Sequence, residues 1–172
     1  MKDAPVEIVP YSAEWPRLFA SEAEQLMRTL APWLAGKIEH IGSTAVPGLC
    51  AKPIIDIMAP VQDLAHAAPA IEALGALSYC YFPYKPTEML WFCKPSPTCR
   101  THHLHLVPSV SRVWQQRLAF RDALRRGPGL ANDYEQLKIR LAATHAQDRE
   151  AYTEAKSPFI HSVLQRVAAG AA

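Results

Sequence analysis

Hydrophobic residues follow two different periods in the first half of the chain. Residues 6–9 alternate between apolar and polar positions and predict a short strand, whereas residues 12–30 carry apolar side chains at helical spacing. Ser12 is the expected N-cap of this helix, because its hydroxyl can accept a hydrogen bond from a backbone amide of the first turn. Two further apolar runs, 37–41 and 52–59, are short, contain several isoleucines and predict strands.

The second half of the chain adds one more pair of strands and then becomes helical. A helix is predicted over 63–77 with Asp63 as its cap, and strands over 88–93 and 101–107 flank a proline-rich turn, as in a hairpin. Ser157 is the expected cap of the last of three later helices, which are predicted over 113–126, 131–144 and 157–168. This order indicates an α/β (α+β) fold, with helices flanking a mixed β-sheet and a helical C-terminal half.

Composition and charge are those of an ordinary globular protein. The 172 residues are 49% hydrophobic and 20% charged, which predicts one domain over residues 1–172. A net charge of +2 is too small to favour a nucleic-acid partner. The four cysteines contain no C-x-x-C pair and are expected to be thiols of a reducing compartment. Residues 1–5 do not resemble a signal peptide and no apolar run approaches about 20 residues, so we expect a cytoplasmic protein without membrane contact.

A glycine and two hydroxyls follow the strand predicted over 37–41. Gly42 leaves room for a ligand to approach the backbone closely. The backbone amides there, together with the hydroxyls of Ser43 and Thr44, can hold a phosphate. The same residues also suit an ordinary strand turn, which is the alternative interpretation.

A single carboxylate, Asp56, interrupts the apolar run over 52–59. A buried carboxylate must be paired, hydrogen-bonded or bound to a metal, because an isolated one is costly to remove from water. The period of a strand places Asp56 on one face with Met58 and leaves Ile57 on the other. A structural pair, for instance with Lys52, is the alternative to a functional role.

Three histidines lie close together in the strand predicted over 101–107. His103 and His105 share one face of that strand, and His102 lies on the other. Imidazoles one pleat apart can ligate a metal, hold a phosphate or act as acid and base. A single histidine in a strand is more commonly a satisfied core residue, but three in so short a segment favour a functional site.

These segments together resemble a known family. Residues 38–49 (IEHIGSTAVPGL), 51–57 (AKPIIDI) and 101–106 (THHLHL) resemble the signature of the GrpB family, and the resemblance continues through 118–125, 134–138 and 155–160. It implies a nucleotidyltransferase-like fold, because a Gly-Ser turn followed by an aspartate on the next strand is the layout of the superfamily related to DNA polymerase β. That superfamily usually has a second acid two residues after the first, where this chain has Met58.

The resemblance also implies a set of site residues. The residues expected to carry catalysis are Asp56, His103 and His105, and together with Glu39 they are the expected ligands of Mg²⁺ or Mn²⁺. The residues expected to contact the nucleotide are Gly42, Ser43, Thr44, Lys52, His102, Arg121 and Lys138, with Lys156 as a further cation. A solvated surface charge is the alternative for the arginine and for the lysines of the helical half.

For the activity, the spacing between the Gly-Ser turn and Asp56 favours transfer of a nucleotidyl group from a nucleoside triphosphate to a small acceptor, assisted by the metal. In some bacteria the module is fused to dephospho-CoA kinase, which points to nucleotide or coenzyme metabolism. One alternative is a nucleotide- or metabolite-binding module without catalysis, suggested by Met58 in place of the second acid. Another is metal-dependent hydrolysis of a phosphoester, suggested by Asp56 with two histidines. The expected partners are a triphosphate and a small acceptor, and the oligomeric state is left open.

Overall fold

The computed structural model describes residues 5–170, and its centre is a five-stranded mixed β-sheet. The strands in chain order are β1 (Glu39–Ile41), β2 (Ile55–Val61), β3 (Cys80–Phe82), β4 (Leu90–Pro95) and β5 (Arg100–Pro108). Their order in the sheet is β1-β2-β5-β4-β3. β2 and β5 run parallel, and every other neighbouring pair is antiparallel.

Helices flank this sheet and form most of the C-terminal half. They are α1 (Trp15–Leu30), α2 (Ala70–Gly75), α3 (Arg112–Arg126), α4 (Pro128–Thr144), α5 (Arg149–Glu154) and α6 (Ser157–Ala168), and a 3₁₀ turn (Ser43–Ala45) follows β1. Within the described range, none of the helices has the length and apolar character that crossing a membrane requires. The predicted α/β fold, a mixed sheet flanked by helices with a helical C-terminal half, is confirmed.

One predicted strand is absent from the structure of the described residues, and one predicted helix is shorter than expected. Residues 6–9 contribute only an isolated bridge through Val9 and no strand. The helix predicted over 63–77 is reduced to α2, which begins after Pro69, because proline disfavours helical backbone in the residue before it. Asp63 caps the turn that precedes α2, where its Oδ1 accepts a hydrogen bond from a backbone amide over 2.7 Å.

Helix caps and the shortest elements also differ. Ser12 accepts a hydrogen bond from the backbone amide of Glu14, which is the N-cap residue of α1, so Ser12 lies two residues before the cap position predicted for it. Ser157 is the first residue of α6, and Lys156 occupies the cap position. The sequence analysis missed β3 and α5, which contain 3 and 6 residues and are therefore too short to show a hydrophobic period.

The two faces of the sheet differ in character. On one face, Ile57 and Leu104 pack with α1 and α2 in the main apolar core. The other face carries Asp56 and His103, and the apolar side chains next to them pack against α3. The alternation predicted for the two strands is confirmed, because Ile57 and Leu104 lie in the main core whereas Met58 lies in the cluster on the opposite face.

Candidate functional site

Asp56 and His103 form the centre of the candidate site. They are direct neighbours across the parallel strands β2 and β5. His103 Nδ1–H donates to Asp56 Oδ1 over 2.9 Å, because an ionised carboxylate can only accept. Nε2 of His103 is buried and makes no hydrogen bond to any residue from 5 to 170. With the proton on Nδ1, Nε2 carries a lone pair that can take a proton from a substrate.

Asp56 remains charged although the protein shields it. Its side chain is 30% exposed, and that of His103 is 14% exposed. Burial raises the pKa of Asp56, but the hydrogen bond from His103 and the charge of that ring when protonated outweigh burial. Smaller contributions from His105 and Lys52 act in the same direction, so the pKa of Asp56 lies well below its ordinary range. The charged carboxylate therefore orients the imidazole of His103 at neutral pH.

Gly42 is required because the Asp56 side chain occupies the space that another side chain would need. Its φ of +71° is in the left-handed region, which favours glycine. A Cβ at this position would lie 2.4 Å from Asp56 Oδ2. The group that approaches the backbone at Gly42 is therefore the carboxylate of Asp56, in the place where the sequence predicts a ligand.

The two hydroxyls after the glycine have different surroundings. Thr44 is 1% exposed; its hydroxyl donates to the carbonyl oxygen of Ile54 over 3.3 Å and accepts from His40 Nε2 over 3.0 Å. Burial lowers the pKa of His40 to about 4, so this ring is neutral at pH 7. Ser43 is only partly buried and lies near Tyr134 of α4, where it acts against the raised pKa of the phenol. Ser43 is thus accessible to a phosphate, whereas Thr44 contacts the interior of the fold.

Lys138 of α4 is a buried lysine. It is 2% exposed, its Nζ donates to the carbonyl oxygen of Cys50, and it lies 5.1 Å from the ring centre of Tyr134. Burial lowers the pKa of Lys138 to about 8. Glu135 accepts from the backbone amide of Cys50 over 2.8 Å, so two α4 side chains hold the loop that leads into β2. The alternative interpretation of Lys138 as a solvated surface charge is wrong.

Lys156 is a second lysine of the helical half that acts on the site. It is partly buried directly before α6, and its Nζ lies 4.3 Å from the ring centre of Tyr152. Burial lowers its pKa to about 7, and the positive charges of Lys52 and Lys138 act in the same direction. The carboxylate of Asp56 raises the pKa. Three lysines and one carboxylate thus interact in one region, which is a suitable environment for an anion.

Arg121 of α3 connects the helical half to β1. Its guanidinium donates to Glu39 Oε2 over 2.6 Å, to the carbonyl oxygen of His40 over 3.0 Å and to Asp122 Oδ1 over 2.7 Å. Arg121 is 8% exposed, so its alternative interpretation as a solvated surface charge is wrong as well. Arg125, one turn later, donates to the carbonyl oxygen of Ala45 over 2.9 Å. These contacts fix the position of the Gly-Ser turn relative to α3.

The other two histidines of β5 lie away from the Asp56–His103 pair. His105 shares its face but is 7% exposed, and its Nδ1 lies 3.4 Å from the sulfur of Met89. Burial, followed by the charge of Arg117, lowers the pKa of His105 well below its ordinary value. His102 pairs with Ile55 and lies on the opposite face of the sheet, close to Glu22 and Lys94. The structure therefore brings His103 to Asp56 and separates His102 from it.

Arg117 is a site residue that the sequence analysis missed. It is partly buried on α3, donates to the sulfur of Met89 over 3.7 Å and acts electrostatically on His105 and Asp56. Its position in the sequence offered a signal, because Arg117 is four residues before Arg121 and shares its side of the helix.

The described side chains around Asp56 do not by themselves form a metal-binding cluster. Among residues 5–170, no group of three or more histidine, cysteine, aspartate or glutamate side chains could hold a metal. Mg²⁺ commonly binds through one or two carboxylates together with phosphate oxygens and water, which matches a site with Asp56 as its carboxylate. The predicted ligand Glu39 is paired with Arg121, and Met58 is fully buried where related enzymes have a second acid.

Comparison with known proteins gives concordant results. The family model described as "GrpB protein" matches residues 5–166. A UPF0157 protein of Pseudomonas aeruginosa is 41% identical, over 97% of this chain and 69% of that protein. The crystal structure of the conserved protein GrpB from Enterococcus faecalis superposes with a TM-score of 0.85 at 31% identity, covering 93% of this chain and 96% of that one.

A more distant relative is a larger enzyme. The dephospho-CoA kinase of Mycolicibacterium paratuberculosis is 27% identical over 95% of this chain, and the match spans 46% of that protein.

Proposed function

The chain belongs to the GrpB family, and from that premise we propose that it transfers a nucleotidyl group from a nucleoside triphosphate to a small acceptor. The observation that carries the proposal is the hydrogen bond of 2.9 Å between His103 Nδ1 and Asp56 Oδ1, which leaves Nε2 of His103 without a partner among residues 5–170. An imidazole whose one nitrogen donates to a carboxylate and whose other nitrogen has no hydrogen-bond partner is the arrangement of a general base.

The phosphates of the triphosphate bind at the Gly-Ser turn and the lysines. Ser43 supplies a hydroxyl, and Lys52 and Lys156 supply positive charge in the same region as Asp56. A lysine whose pKa is about 7 gains a proton when an anion approaches, because the anion favours the charged form. Lys138 and Arg121 act mainly by holding the loop before β2 and the end of β1 in place.

In the chemical step, a hydroxyl oxygen of the acceptor forms a bond to the α-phosphorus. The bond between that phosphorus and the bridging oxygen breaks, and pyrophosphate leaves with the electron pair. The proton of the hydroxyl passes to Nε2 of His103, and the charge of Asp56 stabilises the imidazolium that forms. A divalent ion at Asp56, Mg²⁺ or Mn²⁺, would supply charge neutralisation on the phosphates.

Hydrolysis of a phosphoester is a second candidate, favoured by the same unpartnered nitrogen. Water is a smaller acceptor than an organic hydroxyl, and Nε2 of His103 can take its proton equally well. The identity of the group that receives the nucleotidyl group distinguishes the two activities.

The test begins with nucleotide binding. We expect ATP, GTP, CTP or UTP to bind the wild type in the presence of Mn²⁺, and Asp56→Asn to weaken that binding by about tenfold or more, as followed by titration calorimetry. His103→Gln should retain binding, because it leaves the carboxylate in place. His66→Gln is the matched control, since His66 is exposed and lies outside the strands β2 and β5 that carry the site.

The second stage follows product formation from the α-labelled triphosphate in a deproteinised bacterial extract. A labelled adduct that the wild type and His66→Gln form, and that His103→Gln does not, supports nucleotidyl transfer. Labelled monophosphate without an adduct identifies hydrolysis. Binding without either product would refute catalysis and leave a nucleotide-binding module.

A further inference from the structure

Arg117 lies beside the candidate site on the side away from the lysines. Lys52 precedes Asp56 by four residues, whereas Arg117 approaches His105, which lies two residues beyond His103 in the parallel strand. Met89 lies between them: its sulfur is 3.4 Å from His105 Nδ1 and 3.7 Å from a terminal nitrogen of Arg117. The site therefore has cationic groups on both sides of the Asp56–His103 pair.

The fold leaves the charge of Arg117 poorly compensated. Within residues 5–170, no carboxylate lies within 4 Å of its guanidinium, and the sulfur of Met89 is its hydrogen-bond acceptor. A thioether is a weak acceptor, and a guanidinium has five N–H donors in a planar fork. Burial lowers the pKa of Arg117, and Asp56, Tyr84 and Glu88 act on it in the opposite direction only at longer range. A shielded cation of this kind is costly unless an anion completes its surroundings.

We propose that Arg117 binds an oxyanion group, a phosphate or a carboxylate, of the acceptor, so that the acceptor is a small anion. This inference rests on the proposed nucleotidyl transfer, which requires an acceptor hydroxyl near Nε2 of His103. A guanidinium on the face of the sheet that carries that nitrogen can bind a planar or tetrahedral oxyanion through two N–H groups and hold the hydroxyl in place. Neutral acceptors such as simple alcohols and unmodified sugars lack this contact.

The side-chain Nε–H resonance of Arg117 is a direct probe of this contact. We expect it to shift saturably when inorganic phosphate or citrate is added to the ¹⁵N-labelled protein, and Arg117→Lys identifies the resonance by removing it. Calorimetry should show weaker binding of the same anions by about tenfold in Arg117→Gln. Arg126→Gln is the matched control, because Arg126 lies on the same helix and is exposed.

The thermal midpoint shows whether Arg117 has a structural role instead. Since the fold does not compensate its charge, Arg117→Gln should leave the midpoint unchanged or raise it while anion binding is lost. A lowered midpoint with unchanged anion binding, or a resonance that neither phosphate nor citrate shifts, would overturn the inference. If no nucleotide binds but phosphate binds through Arg117, the anion site stands and the nucleotidyl transfer fails.

Discussion

Two arginines one turn apart on α3 have opposite surroundings. The guanidinium of Arg121 donates to two carboxylates and a backbone carbonyl, all within 3.0 Å. That of Arg117 donates to a thioether sulfur over 3.7 Å. Both lie on the same side of one helix, above one face of one sheet, so the difference does not come from helix position. It comes from the residues beneath them, because Glu39 of β1 is opposite Arg121, whereas Met89, directly before β4, is opposite Arg117.

The contrast separates cations whose charge is compensated by groups of the fold from cations whose charge only a bound anion would compensate. A paired guanidinium contributes to stability mainly through the penalty of removing it, which leaves buried acceptors without a donor. An unpaired one reduces stability and is retained where binding requires it. The lysines show the same division: Lys138 donates to a backbone carbonyl, whereas Lys156 has an aromatic ring as its close neighbour.

Removal of Arg121 should have the largest effect on stability. Arg121→Ala leaves the carboxylate of Glu39 and the carbonyl oxygen of His40 without their donor, and we expect the free energy of unfolding to fall by about 3 kcal/mol. Urea denaturation followed by circular dichroism measures this change. Arg126→Ala, an exposed neighbour on α3, should change stability by less than about 0.5 kcal/mol. Equal effects of the two substitutions would contradict the distinction between compensated and uncompensated cations.

Much of the site could be predicted because each strand fixes its own faces. Alternation along 52–59 and 101–107 was sufficient to place Asp56 with Met58 and His103 with His105. Whether the two strands are neighbours, and in which register, depends on packing that the alternation does not contain. The structure supplies that information, because it pairs β2 with β5 in the register that sets Asp56 beside His103.

The partners of the helical cations could not be predicted in the same way. Glu39 and Arg121 are 82 positions apart, and nothing in the sequence around either residue indicates the other. Surface exposure is the usual state of arginine and lysine, so Lys138 and Arg121 were open to that interpretation. Helical spacing from Val113 to Arg117 and Arg121 would have indicated the side that faces the sheet.

A substitution at Gly42 tests the close packing of this glycine against the carboxylate of Asp56. Gly42→Ala introduces a Cβ 2.4 Å from Asp56 Oδ2 at a backbone φ of +71°, so both strain and a displaced carboxylate are expected. We expect the free energy of unfolding to fall by about 2 kcal/mol in urea denaturation. Gly48→Ala has a similar φ of +79° and no atom within 4 Å of the new Cβ, so it isolates the strain. If Gly48→Ala is equally destabilising, the contact with Asp56 contributes nothing.

Lys156 provides the smallest and most specific test, because its effect depends on pH. Its folded-state pKa of about 7 lies below its ordinary value of 10.5, so between these values the unfolded chain binds more protons than the folded one. Stability should therefore rise with pH across this window, since the cost of burying a charged amine disappears. Lys156→Met should reduce this rise and increase stability near pH 7 by about 1 kcal/mol, as measured by urea denaturation from pH 6 to 10.

The neighbours of Lys156 determine how the result is interpreted. Lys138 has a lowered pKa of about 8, so part of the rise should persist in Lys156→Met. Lys85→Met is the matched control, because Lys85 also lies over a tyrosine ring, at 5.7 Å, but is exposed. A bound anion should reverse the sign: with saturating phosphate the charged amine is favoured, and the wild type should gain stability relative to Lys156→Met as pH falls from 9 to 7. If phosphate leaves the difference in the free energy of unfolding between the two proteins unchanged, Lys156 is not part of an anion site. The division seen between Arg117 and Arg121 then does not extend to the lysines.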